Sequence, residues 1–516
     1  MSNQNKKFYI TTAIDYVNAP PHCGHALEKV QTDTISRYRR LLGEEVLFLT
    51  GTDENSLKNV KAAEKEGIPV QKLVDRNSRT FYELKKVLNL SFDDFIRTTE
   101  ERHIKGAQKL WLACKDNIYK KTYKGLYCVG CEEFYKESEL VEGCCPEHKT
   151  KPEIVKEENY FFKLSKYQDR LRDIIEKDQL KIIPETRKNE VLSFISQGLE
   201  DICISRSAER AKGWGIDVPG DKTQKIWVWF DALSNYINAI GYATDEKKFK
   251  KWWPAEVHVI GKGISRFHCI YWPAMLLSAK LPLPKSIFVH GYLTFGGEKM
   301  SKSAGECIDP CEIVEKYGTD SLRYFLLREI PSAEDGDFTL NKFKKRYNSD
   351  LAKGLGNLVS RVLTMIEKYC EGKVPQIDRD PDSHPLRVDQ SVHNWKKSWA
   401  DIDKFVSDFQ FNEALSSIWK FIAEADKYIE EKKPWELAKE NKTKELNWVL
   451  YGLLDAIHQI AWQVYIFIPT ASVQIAGSLK LKKLLVENPN GKDSWTNIEP
   501  GTKIQKIKPL FPEIKT

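Results

Sequence analysis

The chain has 516 residues, 41% of them hydrophobic and 30% charged, which is the composition of a globular protein with several separately cored domains. Lys and Arg (80) exceed Asp and Glu (73) by seven, an excess compatible with an anionic partner but no evidence for one. Eleven cysteines, an odd number, read as thiols and metal ligands and not as a disulfide framework. The opening residues carry no secretory or transit pattern, and the most apolar stretch, 448–468, is interrupted by Asp455, His458, Gln459 and Gln463. The expectation is therefore a cytoplasmic protein with no membrane span.

In chain order, short β-rich runs at 8–12, 46–50, 226–230, 257–260 and 287–290 alternate with helical patterns. This predicts a parallel sheet with crossover helices, the ligands lying at the carboxyl ends of the strands. After the first run comes His22-Cys23-Gly24-His25, opening an amphipathic stretch whose Leu27, Val30, Ile35, Tyr38 and Leu41 recur at helical spacing. Both imidazoles then share one face of a helix N-terminus, beside unpaired backbone N–H groups and the positive end of the dipole, a setting for a polyphosphate. Gly24 is expected to let a nucleotide approach the backbone. His22, Asp53, Trp229, Gly261 and His290 fall at or just past predicted strand ends, so one crevice can gather them.

Between 116 and 204 the alternation breaks in favour of a Lys- and Glu-rich insertion. Its Cys128-x-x-Cys131 and Cys145-x-x-His148 are two ligand pairs at knuckle spacing, suited to one tetrahedral Zn2+, with Cys144 as an alternative ligand. Four protein ligands leave no open position, so the metal's expected role is structural. Further on, Lys299-Met300-Ser301-Lys302-Ser303 follows a Gly-Gly pair. Past 338 the pattern turns wholly helical, with one stripe of Leu351, Leu355, Leu358, Val362 and Ile366 and another of Phe411, Leu415, Ile418, Ile422 and Ala425. Segment 375–385 reads as a surface connection and 487–516 as a tail. The expected division is 1–115 and 205–295 for the two halves of the sheet domain, 116–204 for the insertion, 296–345 for the Lys-Ser loop and its link, 346–486 for the helical domain and 487–516 for the tail.

His-x-Gly-His followed by Lys-Met-Ser-Lys-Ser resembles the class I aminoacyl-tRNA synthetases. The surrounding text narrows the resemblance to the methionyl-tRNA synthetase family of the single-knuckle, bacterial-like type: Tyr16-Val17-Asn18-Ala19-Pro20-Pro21, Thr50-Gly51-Thr52-Asp53-Glu54, Val228-Trp229-Phe230-Asp231-Ala232, Arg266-Phe267-His268 and Tyr271-Trp272-Pro273-Ala274-Met275. The match runs from about Phe8 to Trp435. It implies an α/β protein with a Rossmann-type parallel-sheet catalytic domain, a zinc-binding insertion and, after them, an all-α anticodon-binding bundle. The implied activity is that of a ligase. L-methionine and ATP, with Mg2+, give methionyl-adenylate and pyrophosphate, and methionine then passes to the 3′-terminal adenosine of tRNA(Met).

Carried over position by position, the resemblance implies ATP contacts at His22, Gly24, His25, Lys299, Ser301 and Lys302, with His22, His25, Lys299 and Lys302 as catalytic donors. It implies a methionine pocket of Ile14, Tyr16, Trp229, Ala232, Leu233, Tyr236, Phe267 and His268, with Asp53 on the α-amino group. Aromatic rings suit a thioether, which packs against ring edges better than it hydrogen-bonds. Anticodon reading falls to Asn357, Arg361 and Trp435, by stacking and edge hydrogen bonds to unpaired bases. Cys128, Cys131, Cys145 and His148 are the zinc ligands, and Arg206 matches an arginine near the site. The insertion is too short to be the editing module that synthetases for leucine, isoleucine or valine need, because one apolar pocket separates such side chains only ~10–200-fold. No dimer-forming domain fits after Glu487, so a monomer is expected.

Two positions depart from the family pattern. Asn55-Ser56 stands where many relatives have His-Gly, and Gly263 stands where an aspartate is usual, expected near the nucleotide ribose. The sequence offers no residue for the ribose in its place.

Overall fold

In a computed structural model, the described residues are 6–128, 130, 133–147, 149–296, 298–299, 308–377, 394–481 and 498–515, with the side chains of 133, 298, 299 and 394–396 outside the description. Seven strands form the central sheet: β1 (Lys7–Thr12), β2 (Asp15–Tyr16), β3 (Glu45–Asp53), β4 (Asp94–Arg97), β5 (Lys181–Ile183), β6 (Val257–Gly261) and β7 (Ser286–His290). Their order is β2-β3-β1-β6-β7-β5, with β4 also on β3, and every pairing is parallel. On β1, Tyr9, Ile10, Thr11 and Thr12 are all buried, as a central strand covered on both faces requires. The parallel register brings the carboxyl ends of β1, β3, β6 and β7 to one edge, where the chain continues into α1 (Cys23–Leu41) and reaches Asp53, Gly261 and His290.

Two sequence expectations change here. The run 226–230 is not a strand of this sheet. It splits into the end of an antiparallel strand, Asp221–Ile226, and the start of a helix, Val228–Leu233. Val228, Phe230, Ala232 and Leu233 are all buried, and a short run buried all round carries no period that separates strand from helix. Secondly, β5 lies inside 116–204 yet pairs with β7 through Ile182 and Ile287, so that span returns to the main sheet before it ends. The part that stands apart is an antiparallel sheet of Ile118–Cys128, Glu133–Tyr135, Glu153–Phe162 and Ile202–Cys203.

The helical region includes Asn357–Cys370, Asn394–Ser407, Phe411–Lys432, Thr443–Val464 and Pro469–Ser478. Both apolar stripes read from the sequence are buried, and they belong to one continuous core that also takes in Leu27, Val30 and Tyr38 of α1. The described part of the tail packs back on the body: the Tyr347 hydroxyl donates to the Pro512 carbonyl at 3.0 Å, and Ile514 N–H donates to Asn348 Oδ1 at 2.9 Å. The connection read at 375–385 lies outside the described residues from 378 onward.

A buried charge cluster locks these parts together. Asp33 of α1 receives Arg37 Nε at 2.7 Å and Arg323 Nη2 at 2.8 Å, Arg323 coming from the helix Thr319–Arg328. Arg323 also donates to the carbonyls of Phe467 at 2.8 Å and Leu88 at 3.0 Å. Burial would push the Asp33 carboxyl up, but the two guanidiniums outweigh it and hold the group down at about 2. Among the described residues, no helix is long and apolar enough to cross a membrane.

Candidate active site

A cleft of about 850 Å³ opens at the carboxyl edge of the sheet. His22, Gly24 and His25 line one end of it, Ile14, Tyr16, Trp229 and Phe267 another, and Gly261, Gly263, His290 and Tyr292 a third.

At the first end His22 is the N-cap of α1. Its Nδ1 accepts from Gly24 N–H at 3.1 Å, and His25 Nδ1 accepts from His22 N–H at 3.1 Å, a capping box built from two imidazoles. Because both Nδ1 atoms are acceptors, the proton of each ring sits on Nε2, and the ring centroids lie 3.8 Å apart with their planes tilted by 30°. This corrects the sequence reading of unpaired backbone donors. Cys23 N–H is taken by the Ile308 carbonyl at 3.0 Å, and His25 and Ala26 N–H by the His22 carbonyl at 2.9 and 3.2 Å. The backbone donors of the first turn are used internally, so the imidazoles carry the helix end's polarity into the cleft. Gly24 lines the cleft, and a Cβ there would lie 2.8 Å from His22 Cε1, so the glycine also makes room for the folded-back ring. Asp15, paired with the buried Lys29, stands 3.8 Å from His25 Nε2. That pairing offsets a negative charge beside the place proposed for a polyphosphate.

At the aromatic end, Trp229 stacks on Phe267 at 3.8 Å and 3° between planes, and Tyr16 meets Trp229 edge-on at 6.3 Å. Phe267 begins a π-helical turn, Phe267–Tyr271, the kind of irregular turn that often marks functional sites. Behind the stack, His268 Nδ1 bonds the Ile264 carbonyl at 3.0 Å and its Nε2 bonds the Tyr236 hydroxyl at 2.7 Å. The first contact requires a donor, so Nδ1 carries the proton and Nε2 accepts from the phenol. Burial lowers the His268 imidazole to about 4, which keeps it neutral at pH 7. Ala232, Leu233, Tyr236, His268 and Asp53 are buried behind the cleft wall and do not line it.

Residues that the sequence reading left without a role hold this wall. His103 Nε2 bonds Asp231 Oδ1, and Asn55 Nδ2 donates to Asp231 Oδ2 at 2.7 Å and to the Thr98 carbonyl at 3.2 Å. Asn55, noted as a departure, thus orients the helix that carries Trp229. Glu54 is fully buried and takes Arg97 Nε at 2.7 Å, which fixes the end of β3 beside Asp53. No signal in the sequence points to His103, because its partner lies 128 residues away.

Of the Lys-Ser loop, Ser301 and Lys302 lie outside the described residues, as does the side chain of Lys299. Lys299 backbone sits in the strand Glu298–Lys299, opposite Thr294. The chain re-enters the description at Ile308, bonded to Cys23 beside the histidine cap.

In the insertion, Cys131 and His148 lie outside the described residues. Cys128 and Cys145 are both buried, and among the described residues they form a small cluster with Tyr135 and, at its rim, Leu140. Two buried sulfurs making up half of so small a core fit a thiolate-bound metal. The turn 141–144 is closed by a Val141–Cys144 bridge, with Glu142 and Gly143 at φ of 52° and 74°. Cys144 is half-buried on that bridge, which favours Cys145 as the inward ligand.

In the helical region Asn357 is exposed at the start of Asn357–Cys370, and Trp435 is half-buried near the start of Pro434–Lys439. Arg361 pairs with Asp426 at 3.5 Å and with Glu430 at 2.5 Å. Arg206 lies outside the cleft, its guanidinium 5.0 Å above the Tyr127 ring and its Nη1 on the Ser205 carbonyl.

A parallel sheet whose carboxyl edge joins a histidine-capped helix to an aromatic pocket, with Ile308 bonded at that same cap, defines a class I tRNA synthetase. The family model for "tRNA synthetases class I (M)" matches residues 8–153 and 147–363. A methionine–tRNA ligase from Clostridium acetobutylicum is 43% identical over 99% of this chain and 79% of its own length, and one from Brucella suis is 43% identical over 98% of each. The Mycobacterium tuberculosis methionyl-tRNA synthetase, solved in complex with methionyl-adenylate, superposes with a TM-score of 0.91 at 38% identity, covering 98% of this chain and all of that one. The chain belongs to the methionyl-tRNA synthetase family.

Proposed function

We propose that the cleft joins L-methionine to ATP and that the protein then charges tRNA(Met), for initiation and elongation alike. The methionine carboxylate attacks the α-phosphate, a C(O)O–P bond forms, and the bond from that phosphorus to the bridging oxygen breaks, releasing pyrophosphate. The carboxylate is already a nucleophile, so catalysis consists of alignment and of donors that meet charge on the phosphate oxygens. The observation that carries this reading is the imidazole capping box, which engages Nδ1 of both rings with backbone N–H groups and so makes Nε2 the protonated nitrogen of two adjacent rings that line the cleft. Lys299 and Lys302 supply positive charge from the loop, and Ser301 adds a hydroxyl. Mg2+ accompanies ATP and offsets its charge.

Methionine lies against Trp229, Phe267, Tyr16 and Ile14. Its side chain points toward Ala232, Leu233, Tyr236 and His268 behind that wall, and Asp53 takes the ammonium. Support for this comes from the neutral, doubly bonded His268, which keeps positive charge away from an apolar side chain. Cys128, Cys131, Cys145 and His148 hold a structural Zn2+ that shapes the insertion. Asn357, Arg361 and Trp435 read the CAU anticodon, Arg361 exchanging its carboxylate partners for a base edge. The protein is proposed to act as a cytoplasmic monomer.

The test is charging of a tRNA with a CAU anticodon, measured beside the same tRNA with one anticodon base changed. The intact tRNA is expected to accept methionine, and the changed one to lose most of its kcat/KM. Equal charging of both would remove the bundle from the account.

A further inference from the structure

On that reading of the cleft, the nucleoside falls at the end away from the aromatic stack, near Gly263. Gly261, Gly263 and Gly291 line that end together with His290 and Tyr292. A Cβ built on Gly263 would stand 2.0 Å from Tyr292 Oη, so the Tyr292 hydroxyl occupies the place where a side chain at 263 would begin. The hydroxyl donates to Glu147 Oε1 at 3.2 Å, and Glu147 Oε1 itself is 3.5 Å from the same Gly263 Cβ position. Glu147 is exposed and belongs to the insertion, between Cys145 and the proposed ligand His148.

Tyr292 is aimed by its neighbours. Its N–H donates to Asp335 Oδ1 at 2.8 Å, Lys262 Nζ donates to Asp335 Oδ2 at 2.7 Å, and the Lys262 ammonium sits 4.6 Å from the centre of the Tyr292 ring.

We propose that Tyr292 and Glu147 together form the ribose subsite, the carboxylate accepting from the vicinal hydroxyls and the phenol bridging to them, in place of an acidic side chain at 263. A carboxylate is the acceptor that suits a diol, since one group takes both hydroxyl protons, and hydrogen bonds to a charged acceptor are the stronger kind. The arrangement also makes nucleotide binding depend on the insertion, because one member of the pair is carried on it.

The test is methionine-dependent ATP–pyrophosphate exchange by the full chain with ATP and with 2′-deoxy-ATP, for the wild type, Tyr292→Phe, Glu147→Gln, Gly263→Asp and the double variant Gly263→Asp/Tyr292→Phe. Zinc content and thermal midpoint are measured for each to show that the fold is kept. Loss of a hydrogen bond to a charged acceptor is expected to raise the KM for ATP about tenfold in Glu147→Gln while the KM for methionine stays put, and to shrink the preference for ATP over its deoxy analogue. Gly263→Asp alone is expected to bind ATP poorly, because the new side chain meets the phenol. The double variant removes that hydroxyl and regains most of the affinity. Unaltered discrimination between ATP and 2′-deoxy-ATP in both Tyr292→Phe and Glu147→Gln folded proteins overturns the proposal. A wild type without methionine-dependent exchange overturns the parent reading instead, so the two failures are distinct.

Discussion

His22 performs two tasks through two nitrogens, and the tasks separate chemically. Nδ1 caps α1, while Nε2–H is the donor proposed for phosphate. Asparagine retains a cap-competent oxygen at about the position of Nδ1 but has nothing at Nε2. His22→Asn is therefore expected to lower the exchange rate on the order of 10²–10³ with little change in stability, whereas His22→Ala loses the rate and about 1 kcal/mol besides. Rates and urea midpoints for the two variants check this; equal stability losses would show that Nδ1 contributes no cap. His268 carries a pH-dependent share of the stability. Its folded pKa of about 4 lies below the usual imidazole value, so the unfolded chain takes up the proton first as pH falls. Its contribution is full above about pH 6.5 and drains away toward pH 4, by about 2 kcal/mol between pH 7 and pH 5. Comparing urea midpoints at those two pH values for wild type and His268→Gln reads it out: the wild type should lose more.

At the scale of elements, the Asp33–Arg37–Arg323 cluster joins α1 to the helix Thr319–Arg328 and, through the Phe467 carbonyl, to the helical region. Removing one partner of a buried pair leaves charge without compensation, so Arg323→Met is expected to destabilise the protein by about 3 kcal/mol, measured as a shift in the urea midpoint. A neutral result would mean that the apolar replacement packs as well as the ion pair. Much of this architecture was legible beforehand. The runs that became β1, β3, β6 and β7 are apolar because a central parallel strand is buried on both faces, and α1 shows its period because one face stays polar. The run 226–230 misled for the opposite reason: Ile226, Trp227, Val228 and Phe230 are buried whichever way they turn. The cap of α1 was legible as a helix end but not as a closed one, since its donors go to His22 itself and to Ile308, far along the chain. The same distance hides His103 and Tyr292, which work through partners 128 and 145 residues away.

Across the whole molecule, the insertion is proposed to be held in shape by a metal and to present the Glu147 carboxylate to the cleft. Purified protein should contain one zinc per chain, and Cys145→Ser should lose it and become sensitive to proteolysis around Lys149 and Lys151 while the distant bundle stays protected. Retention of zinc in that variant would move the ligand to Cys144. That this cleft forms an adenylate from one particular amino acid is tested most directly by pyrophosphate exchange tried with each of the twenty in turn. Methionine alone should drive label from pyrophosphate into ATP; exchange driven by leucine or valine, or by no amino acid at all, would contradict it.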